Sequence, residues 1–315
     1  YQLNDFSEGV HISNSSYNLF NRFISNTKSV LDITTNVFSD KDLLEILSSV
    51  KDRDIKVRIV TARHKDKKYD LEKFFSDKKC KIEIYSCPKN HSKIMIRDNE
   101  KMIIGSSNLD KFSLNEALET NVLTSDKNAI DKAISIINSI IQNKNLRKLY
   151  ENNKLVCSGT LANDLPLILK ELLEGEENGI TIIMPLQLFN KQILDKIKGW
   201  NKNHVKIRII LSSSWASGEN NAVDKKTIEF LRNFESEENL EVIFKKETIH
   251  SKVYVFEGQN KALVSSMNMT PNSWSSSLEA GYLVLDKKEI KKILDKIDEL
   301  ENGELEKNVD FVETS

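Results

Sequence analysis

The stretch HSKIMIRDNEKMIIGSSNLDKFSLNEALETNVLTSDK, residues 91–127, returns later in the chain as HSKVYVFEGQNKALVSSMNMTPNSWSSSLEAGYLVLDK, residues 250–287. Six polar positions agree, first at an offset of 159 residues and, after one inserted residue, at 160: His91 with His250, Lys93 with Lys252, Asp98 with Glu257, Ser106 with Ser266, Asn108 with Asn268 and Glu119 with Glu279. A further match, IKVRIV at 55–60 and VKIRII at 205–210, lies at an offset of 150. The chain is therefore predicted to contain two copies of one unit.

Short β-branched runs alternate with segments of helical spacing in both copies. The predicted strands are 30–35, 56–61, 81–85, 93–97, 102–104 and 120–124, then 180–184, 205–211, 240–244, 252–256, 262–264 and 281–285. The predicted helices are 40–50, 69–75, 126–142, 188–200, 225–234 and 287–300. This alternation predicts an α/β fold in which each half is a mixed β-sheet flanked by helices, with a pseudo-twofold axis relating the halves. The polar segment 143–154 breaks the pattern, so we place the halves at 1–152 and 153–315.

The composition excludes several classes of protein. The 315 residues include 46 basic and 47 acidic ones, a net charge of −1, which excludes a polycationic nucleic-acid coat but not a local basic groove. Apolar runs fall far short of the ~18 residues that a membrane span needs. The three cysteines, Cys80, Cys87 and Cys157, are unclustered, which argues against a disulfide framework or a zinc site. With no visible signal peptide, we expect a reducing, cytoplasmic setting.

The repeated His-x-Lys pairs indicate phosphate chemistry. Residues i and i+2 of a strand face the same side, so His91 and Lys93 point together while Ser92 points away. An ammonium group binds non-bridging phosphate oxygens, and an imidazole serves as nucleophile or proton donor. Two copies around a twofold axis place two such pairs on one phosphodiester, so a monomer is sufficient for one active site. A zinc ion between the histidines and the two repeated glutamates would be repelled by the ammonium groups, so we expect neither metal nor cofactor.

These residues resemble the signature of the phospholipase D superfamily, H-x-K-x4-D followed by G-S-x-N, which occurs twice and forms one shared active site. The first copy reads His91, Lys93, Asp98, Gly105, Ser106 and Asn108, and the second reads His250, Lys252, Glu257, Ser265, Ser266 and Asn268. The resemblance spans essentially the whole chain. It implies a metal-independent phosphodiesterase that works through a covalent phosphohistidine.

The resemblance also implies a role for each residue. His91 is expected to be the nucleophile, and His250 the acid that protonates the leaving oxygen and then activates water. The groups expected to stabilise the transition state are Lys93, Lys252, Asn108 and Asn268, with Ser106 and Ser266 in support. Glu119 and Glu279 are expected to orient the histidine rings. Asp98 and Glu257 are interpreted as supporting hydrogen-bond partners.

Two residues depart from the signature. Glu257 stands in place of Asp, and a longer carboxylate is compatible with a supporting role. Ser265 stands in place of Gly, which would impair the second half if that turn required a positive φ. These departures motivate one alternative hypothesis, a catalytically impaired subunit that only binds nucleic acid.

The substrate is predicted from the first copy. Its GSSNL, residues 105–109, resembles nuclease and helicase-associated members of the superfamily, including restriction-type ones. We therefore expect DNA or RNA as substrate, and a helicase or a restriction or defence system as partner. The alternative is a phospholipase D or a cardiolipin-synthase-like phosphatidyltransferase. The stretch GSSNLDKFS of this chain resembles the motif of the synthase, but Phe112 stands where that motif has a basic residue. Trp274 and Phe112 are candidates to stack a base or cover a lipid glycerol, and core packing is the other interpretation.

Overall fold

Strands and helices build both halves of the computed structural model, which describes residues 6–49, 53–63, 65–66, 69–142, 154–157, 164–185, 205–212 and 239–302. The strands of the first half are β1 (Gly9–Ser13), β2 (Val30–Val37), β3 (Lys56–Arg63), β4 (Lys65–Asp66), β5 (Tyr69–Asp70), β6 (Ile82–Ser86), β7 (Ile94–Arg97), β8 (Lys101–Gly105) and β9 (Glu119–Thr124). Those of the second half are β10 (Leu155–Cys157), β11 (Gly179–Pro185), β12 (Lys206–Ser212), β13 (Leu240–Lys245), β14 (Val253–Phe256), β15 (Lys261–Ser265) and β16 (Ala280–Val284). The described helices are α1 (Tyr17–Ser25), α2 (Lys41–Ser49), α3 (Leu71–Asp77), α4 (Lys111–Asn115), α5 (Lys127–Ile141), α6 (Asp164–Glu174), α7 (Pro271–Ser275) and α8 (Lys287–Asn302).

The two halves have the same sheet topology. The first seven-stranded sheet has the order β1-β9-β8-β7-β2-β3-β6, and the second has the order β10-β16-β15-β14-β11-β12-β13. In each, three strands run parallel (β2, β3 and β6, or β11, β12 and β13) and the remaining four join by antiparallel pairing. The start of β7 and of β14 therefore lies at the edge where the parallel strands end. This is the edge at which α/β sheets carry ligand sites.

One hydrophobic core joins the halves. The two sheets share a central cluster that includes α5 and α8, with these members among others: Ile96, Ile104, Ile137, Val255, Val264 and Ile293. Two outer clusters lie beneath α1, α2 and α3 on the first sheet and beneath α6 on the second. Because helices cover both faces, the central strands are buried on both sides and read as continuous apolar runs. The predicted two-half α/β architecture is confirmed.

Helix starts follow local capping chemistry. The side chain of Asp126 accepts a hydrogen bond from Ala129 N at the start of α5, 3.2 Å away. Asp70 caps α3 in the same way, so this helix begins at Leu71, two residues later than predicted, while Tyr69–Asp70 pair with Lys65–Asp66.

The sequence prediction missed several short or terminal elements. It did not include β1, β10, α1, α4, α6 or α7, of which β10 has three residues and α4 and α7 have five each. Three to five residues are too few for hydrophobic periodicity to be read. The missed helices α1 and α6 are longer, with nine and eleven residues. The predicted helices 188–200 and 225–234, and most of the predicted boundary segment 143–154, lie outside the described residues. No helix within the described part of the chain is long and apolar enough to cross a membrane.

Candidate active site

The two His-x-Lys motifs meet where the halves exchange backbone hydrogen bonds. His91 N donates to Leu278 O (2.9 Å), and in the mirrored arrangement His250 N donates to Leu118 O (2.9 Å). Each leucine directly precedes the repeated glutamate of its half. The prediction that strands begin at residues 93 and 252 is thus wrong by one residue, since residues 91–93 and 250–252 precede β7 and β14. Their backbone is held in part by the other half.

Each histidine pairs with the glutamate of the opposite half. His91 Nδ1 lies 2.9 Å from Glu279 Oε2, and His250 Nδ1 lies 2.6 Å from Glu119 Oε1. Both carboxylates are fully buried, whereas the His91 side chain is 20% exposed and the His250 side chain 8%. The crossed pairs make the two halves one site, an arrangement that the spacing within each copy did not reveal.

The pairing fixes which ring nitrogen faces the substrate. Burial alone would raise the pKa of Glu119 and Glu279, but the histidine, a nearby lysine and a serine hydroxyl lower both below the usual value. An ionised carboxylate can only accept, so each Nδ1 donates and carries the proton. Nε2 of a neutral ring is then the unprotonated, nucleophilic atom. Burial lowers the pKa of both histidines, and the paired glutamates oppose that shift.

A serine holds each glutamate. Ser106 Oγ donates to Glu119 Oε2, and Ser266 Oγ donates to Glu279 Oε2. Each serine hydroxyl also accepts a backbone N–H at 3.0 Å, from Thr120 in one half and from the corresponding alanine in the other. The repeated serines therefore position the carboxylates of their own half.

The two lysines are buried among these groups. Lys93 is 5% exposed and Lys252 is 0% exposed, and each Nζ donates at 2.6 Å to the carbonyl of the histidine two residues before it. Burial lowers the pKa of Lys93 to about 8 and that of Lys252 to about 7, against the opposing effect of Glu119 and Glu279. A bound phosphate would favour the charged ammonium forms.

The repeated asparagines have polar atoms without partners. Oδ1 of Asn108 and of Asn268 is buried and makes no hydrogen bond among the described residues. Buried amide oxygens are usually satisfied, so these two are candidates to bind a ligand. Among the described residues, no group of three or more His, Cys, Asp or Glu side chains is arranged to hold a metal ion.

Asp98 lies at the opposite end of β7 from His91, about 20 Å away at the rise of a strand. Its carboxylate accepts hydrogen bonds from the backbone N–H groups of Lys28, Ser29 and Val30, at 2.7–3.2 Å. These bonds lower its pKa although burial acts in the opposite direction. Asp98 therefore ties β7 to the start of β2 and does not face the histidines.

In the second half, two carboxylates divide these tasks. Glu176, 1% exposed, accepts the N–H groups of Asn178, Gly179 and Gly258 at 2.7–3.3 Å, the backbone-binding task of Asp98. Glu257 instead pairs with Arg208, 2.8 Å away. Glu176 has no counterpart in the repeated motif, so the sequence comparison did not identify it.

Arginine pairing explains why Glu257 is longer. In the first half Arg58 binds Asp32 on β2. The corresponding position on β11 is Thr181, which offers no charge, and Glu257 accepts from both Thr181 Oγ1 and the arginine. The longer carboxylate thus replaces the missing partner of Arg208.

The aromatic candidates lie on the short helices that follow the asparagines. Trp274, on α7, packs partly against the outer core of the second half. Phe112, on α4, is half-buried. Asp110 and Thr270 cap these two helices through their side chains, which fixes the turn after each asparagine.

Comparison with known proteins agrees with this architecture. The family model described as cardiolipin synthase, phospholipase D-like domain matches residues 20–141 and 169–300, one segment in each half. No curated protein sequence matches the chain.

Solved structures share the fold at low sequence identity. A phosphatidylserine synthase from Haemophilus influenzae Rd KW20 is 15% identical, with a TM-score of 0.70, over 96% of this chain and 88% of that one. A polyphosphate kinase from Porphyromonas gingivalis is also 15% identical, with a TM-score of 0.69, over 94% of this chain. This chain spans about half, 51%, of the kinase. At such identities the likeness establishes the fold alone.

Proposed function

The chain belongs to the family of phospholipase D-like domains, and we propose that it is a metal-independent phosphodiesterase that cleaves nucleic acid through a covalent phosphohistidine. The observation that carries the chemistry is the crossed pairing of two histidines with two buried glutamates, beside two buried lysines. Each ring directs its Nε2 away from its carboxylate, as a nucleophile or a proton donor requires.

The first step uses the two rings differently. We assign His91, the more exposed ring, as the nucleophile. Its neutral Nε2 attacks phosphorus, the P–N bond forms and the P–O bond to the leaving group breaks. His250, protonated at Nε2, gives that proton to the leaving oxygen. Glu279 and Glu119 stabilise the positive charge on the rings during this step.

The second step regenerates the enzyme. His250, now neutral, takes a proton from water as the water oxygen attacks phosphorus. The P–N bond breaks, its electrons return to His91 Nε2, and the product phosphate leaves. We assign Lys93 and Lys252, with the donating Nδ2 groups of Asn108 and Asn268, to bind the non-bridging oxygens, which carry extra charge in both transition states.

Nucleic acid is the preferred substrate because residues 105–109, GSSNL, resemble nuclease members of the superfamily. A second candidate function, phosphatidyl transfer, is supported by the cardiolipin synthase description of the matching family model. The basic residue of that motif is replaced by Phe112, which weakens the second candidate.

One experiment separates these functions. The protein is incubated in excess EDTA with end-labelled single-stranded DNA, double-stranded DNA, RNA, or phosphatidylcholine and phosphatidylglycerol vesicles, and products are resolved by gel or thin-layer chromatography. We expect shortened nucleic acid and no lipid product, and the double variant His91→Ala/His250→Ala provides the background. Release or exchange of a lipid headgroup with intact nucleic acid would replace the proposal by phosphatidyl transfer. Activity that is lost with chelator and restored by magnesium would contradict the metal-independent mechanism.

A further inference from the structure

Tyr254 has a buried hydroxyl that the mechanism does not use. The residue lies on β14, is fully buried, and its hydroxyl makes no hydrogen bond among the described residues. A buried polar group without a partner destabilises the fold, so its presence requires a reason.

The carboxylate of Glu279 has an unused oxygen of the same kind. Its Oε2 binds both His91 and Ser266, while its Oε1 is buried without a hydrogen-bond partner in the described part of the chain. Glu119 differs, because its two oxygens are divided between His250 and Ser106. Of the two orienting carboxylates, only that of Glu279 therefore has an oxygen that accepts no hydrogen bond among the described residues.

Strand register places the phenol and this carboxylate on one face of the second sheet. Tyr254 pairs with Leu263, which pairs with Leu283. Glu279 directly precedes β16 and lies four positions before Leu283. Alternation therefore puts its side chain on the same face as Tyr254, two strands across and about 13 Å along the strand direction. The negative charge of Glu279 adds to burial in raising the pKa of the phenol, which agrees with this placement.

The first half has no phenol here. Met95 corresponds to Tyr254, and a cavity of about 10 Å³ is lined by Met95, Lys93, Ser107 and Asn121 among others. A polar group beside Lys93 is supplied by Asn121, whose amide donates to Ser107 Oγ at 2.8 Å. In the second half Gly281 occupies the position of Asn121, and Tyr254 occupies the position of Met95.

We propose that Tyr254 is a positioning residue: its hydroxyl donates through one bridging water to Oε1 of Glu279 and so holds the carboxylate that orients His91. The phenol and the carboxylate provide the two polar contacts that a buried water needs at minimum. The inference concerns the same site as the proposed function and rests on it only for the role of His91.

The sign of the effect follows from the donor. A hydroxyl proton directed at Glu279 offsets part of its negative charge, so its removal leaves His91 facing a stronger carboxylate and raises the pKa of that ring. The other charged groups that act on the pair, Lys93 and Lys252, are unchanged by the substitution, as is Glu119, which acts on Lys93.

The test is a titration of both rings in the substrate-free protein by ¹⁵N-histidine NMR, with Tyr254→Phe as variant. We expect the His91 curve to move up by about half a pH unit, with the His250 curve unchanged. Met95→Leu at the matched position of the first half is the control and should move neither curve. The titration does not depend on any substrate. The inference about Tyr254 can therefore fail while the proposed function holds, and the proposed function can fail while the inference holds.

Two results would overturn the inference. An unmoved His91 curve would show that the phenol is not coupled to Glu279, and equal shifts of both rings would indicate general loosening. Melting temperature gives a second measurement. Loss of a bonded hydroxyl lowers it, whereas removal of an unpartnered hydroxyl raises it, so a rise in Tyr254→Phe would also contradict the proposal.

Discussion

The two halves of the molecule carry a glycine on opposite strands of a matched strand pair. In the first half Gly105 on β8 faces Asn121 on β9, and in the second half Ser265 on β15 faces Gly281 on β16. A Cβ at Gly105 would come within 2.3 Å of the Thr120 carbonyl oxygen. Gly105 is therefore required by the close approach of β8 and β9. A Cβ at Gly281 would lie 3.1 Å or more from its nearest neighbours, so the glycine of the second half relieves a milder contact.

This comparison changes the meaning of the two departures from the signature. Neither Gly105 nor Ser265 has a positive φ, so this position of the signature does not demand glycine for its backbone conformation. Glu257 is likewise compensated: it accepts from Thr181, where the first half has Asp32, and Glu176 takes over the backbone N–H groups that Asp98 binds in the first half. The reasons to regard the second half as impaired are thus removed, and each substitution is one member of a compensated set.

The largest expected effect concerns the roles of the two halves. His91→Ala and His250→Ala should each lower turnover by at least about 10³-fold, because one pocket needs both imidazoles. The halves differ in which step they serve. His250→Ala should still form a phosphoenzyme, detectable with a ³²P-labelled substrate after acid-free quenching, while His91→Ala should not.

Two outcomes would contradict this assignment. Phosphoenzyme in His91→Ala alone would exchange the roles, and full activity in either variant would show that the halves do not share a site. Circular dichroism of both variants controls for folding.

The glycine exchange is the next largest effect. Gly105→Ser should destabilise the protein by about 3 kcal/mol, because the new Cβ overlaps backbone atoms of β9. The matched change in the second half, Ser265→Gly, should cost about 1–2 kcal/mol, because the hydroxyl that accepts the Met267 N–H at 2.9 Å is lost. The double variant Gly105→Ser/Asn121→Gly copies the second half and should recover part of the loss. Urea unfolding measures the stability of all three variants. Equal losses of stability for the two single variants would show that the glycine is not needed more on β8 than on β15.

The sequence was sufficient for the fold class because its information is periodic and duplicated. Alternating strands and helices, together with matched offsets, predict the two sheets before any contact is known. The crossed pairing of His91 with Glu279 could not be predicted, since it depends on how the halves dock and not on spacing within either one. Glu176 and Gly281 were missed for a related reason: each compensates a substitution elsewhere in the chain, so it has no equivalent in the other copy.

The crossed pairs predict opposite effects of two similar variants on the width of the pH profile of kcat/KM. Each carboxylate raises the pKa of its histidine against the effect of burial, so Glu→Gln should lower that pKa by about one unit. His91 must be neutral to attack, so Glu279→Gln should move the acidic limb of kcat/KM to lower pH and broaden the bell. His250 must be protonated, so Glu119→Gln should move the alkaline limb to lower pH and narrow the bell. A profile unmoved in both variants would refute the orienting role.

The smallest expected effect tests the carboxylates far from the site. Glu257→Asp restores the residue of the signature, yet it should leave activity unchanged or raise it less than about twofold. Its shorter side chain withdraws from Arg208, which keeps its second partner, Glu301, at 2.6 Å. Because these groups are partly exposed, the loss of stability should be about 0.5 kcal/mol.

Glu176→Gln provides the contrast, since this buried carboxylate accepts four backbone N–H groups. It should cost about 2 kcal/mol, as should Asp98→Asn, which performs the same task in the first half. Chemical unfolding of the three variants is therefore expected to show similar losses of stability for Glu176→Gln and Asp98→Asn and a smaller loss for Glu257→Asp. Glu176, and not the motif residue Glu257, would then be the functional equivalent of Asp98. A collapse of activity in Glu257→Asp would break this equivalence, because a carboxylate at the far end of β14 would then have to act on His250 through the strand.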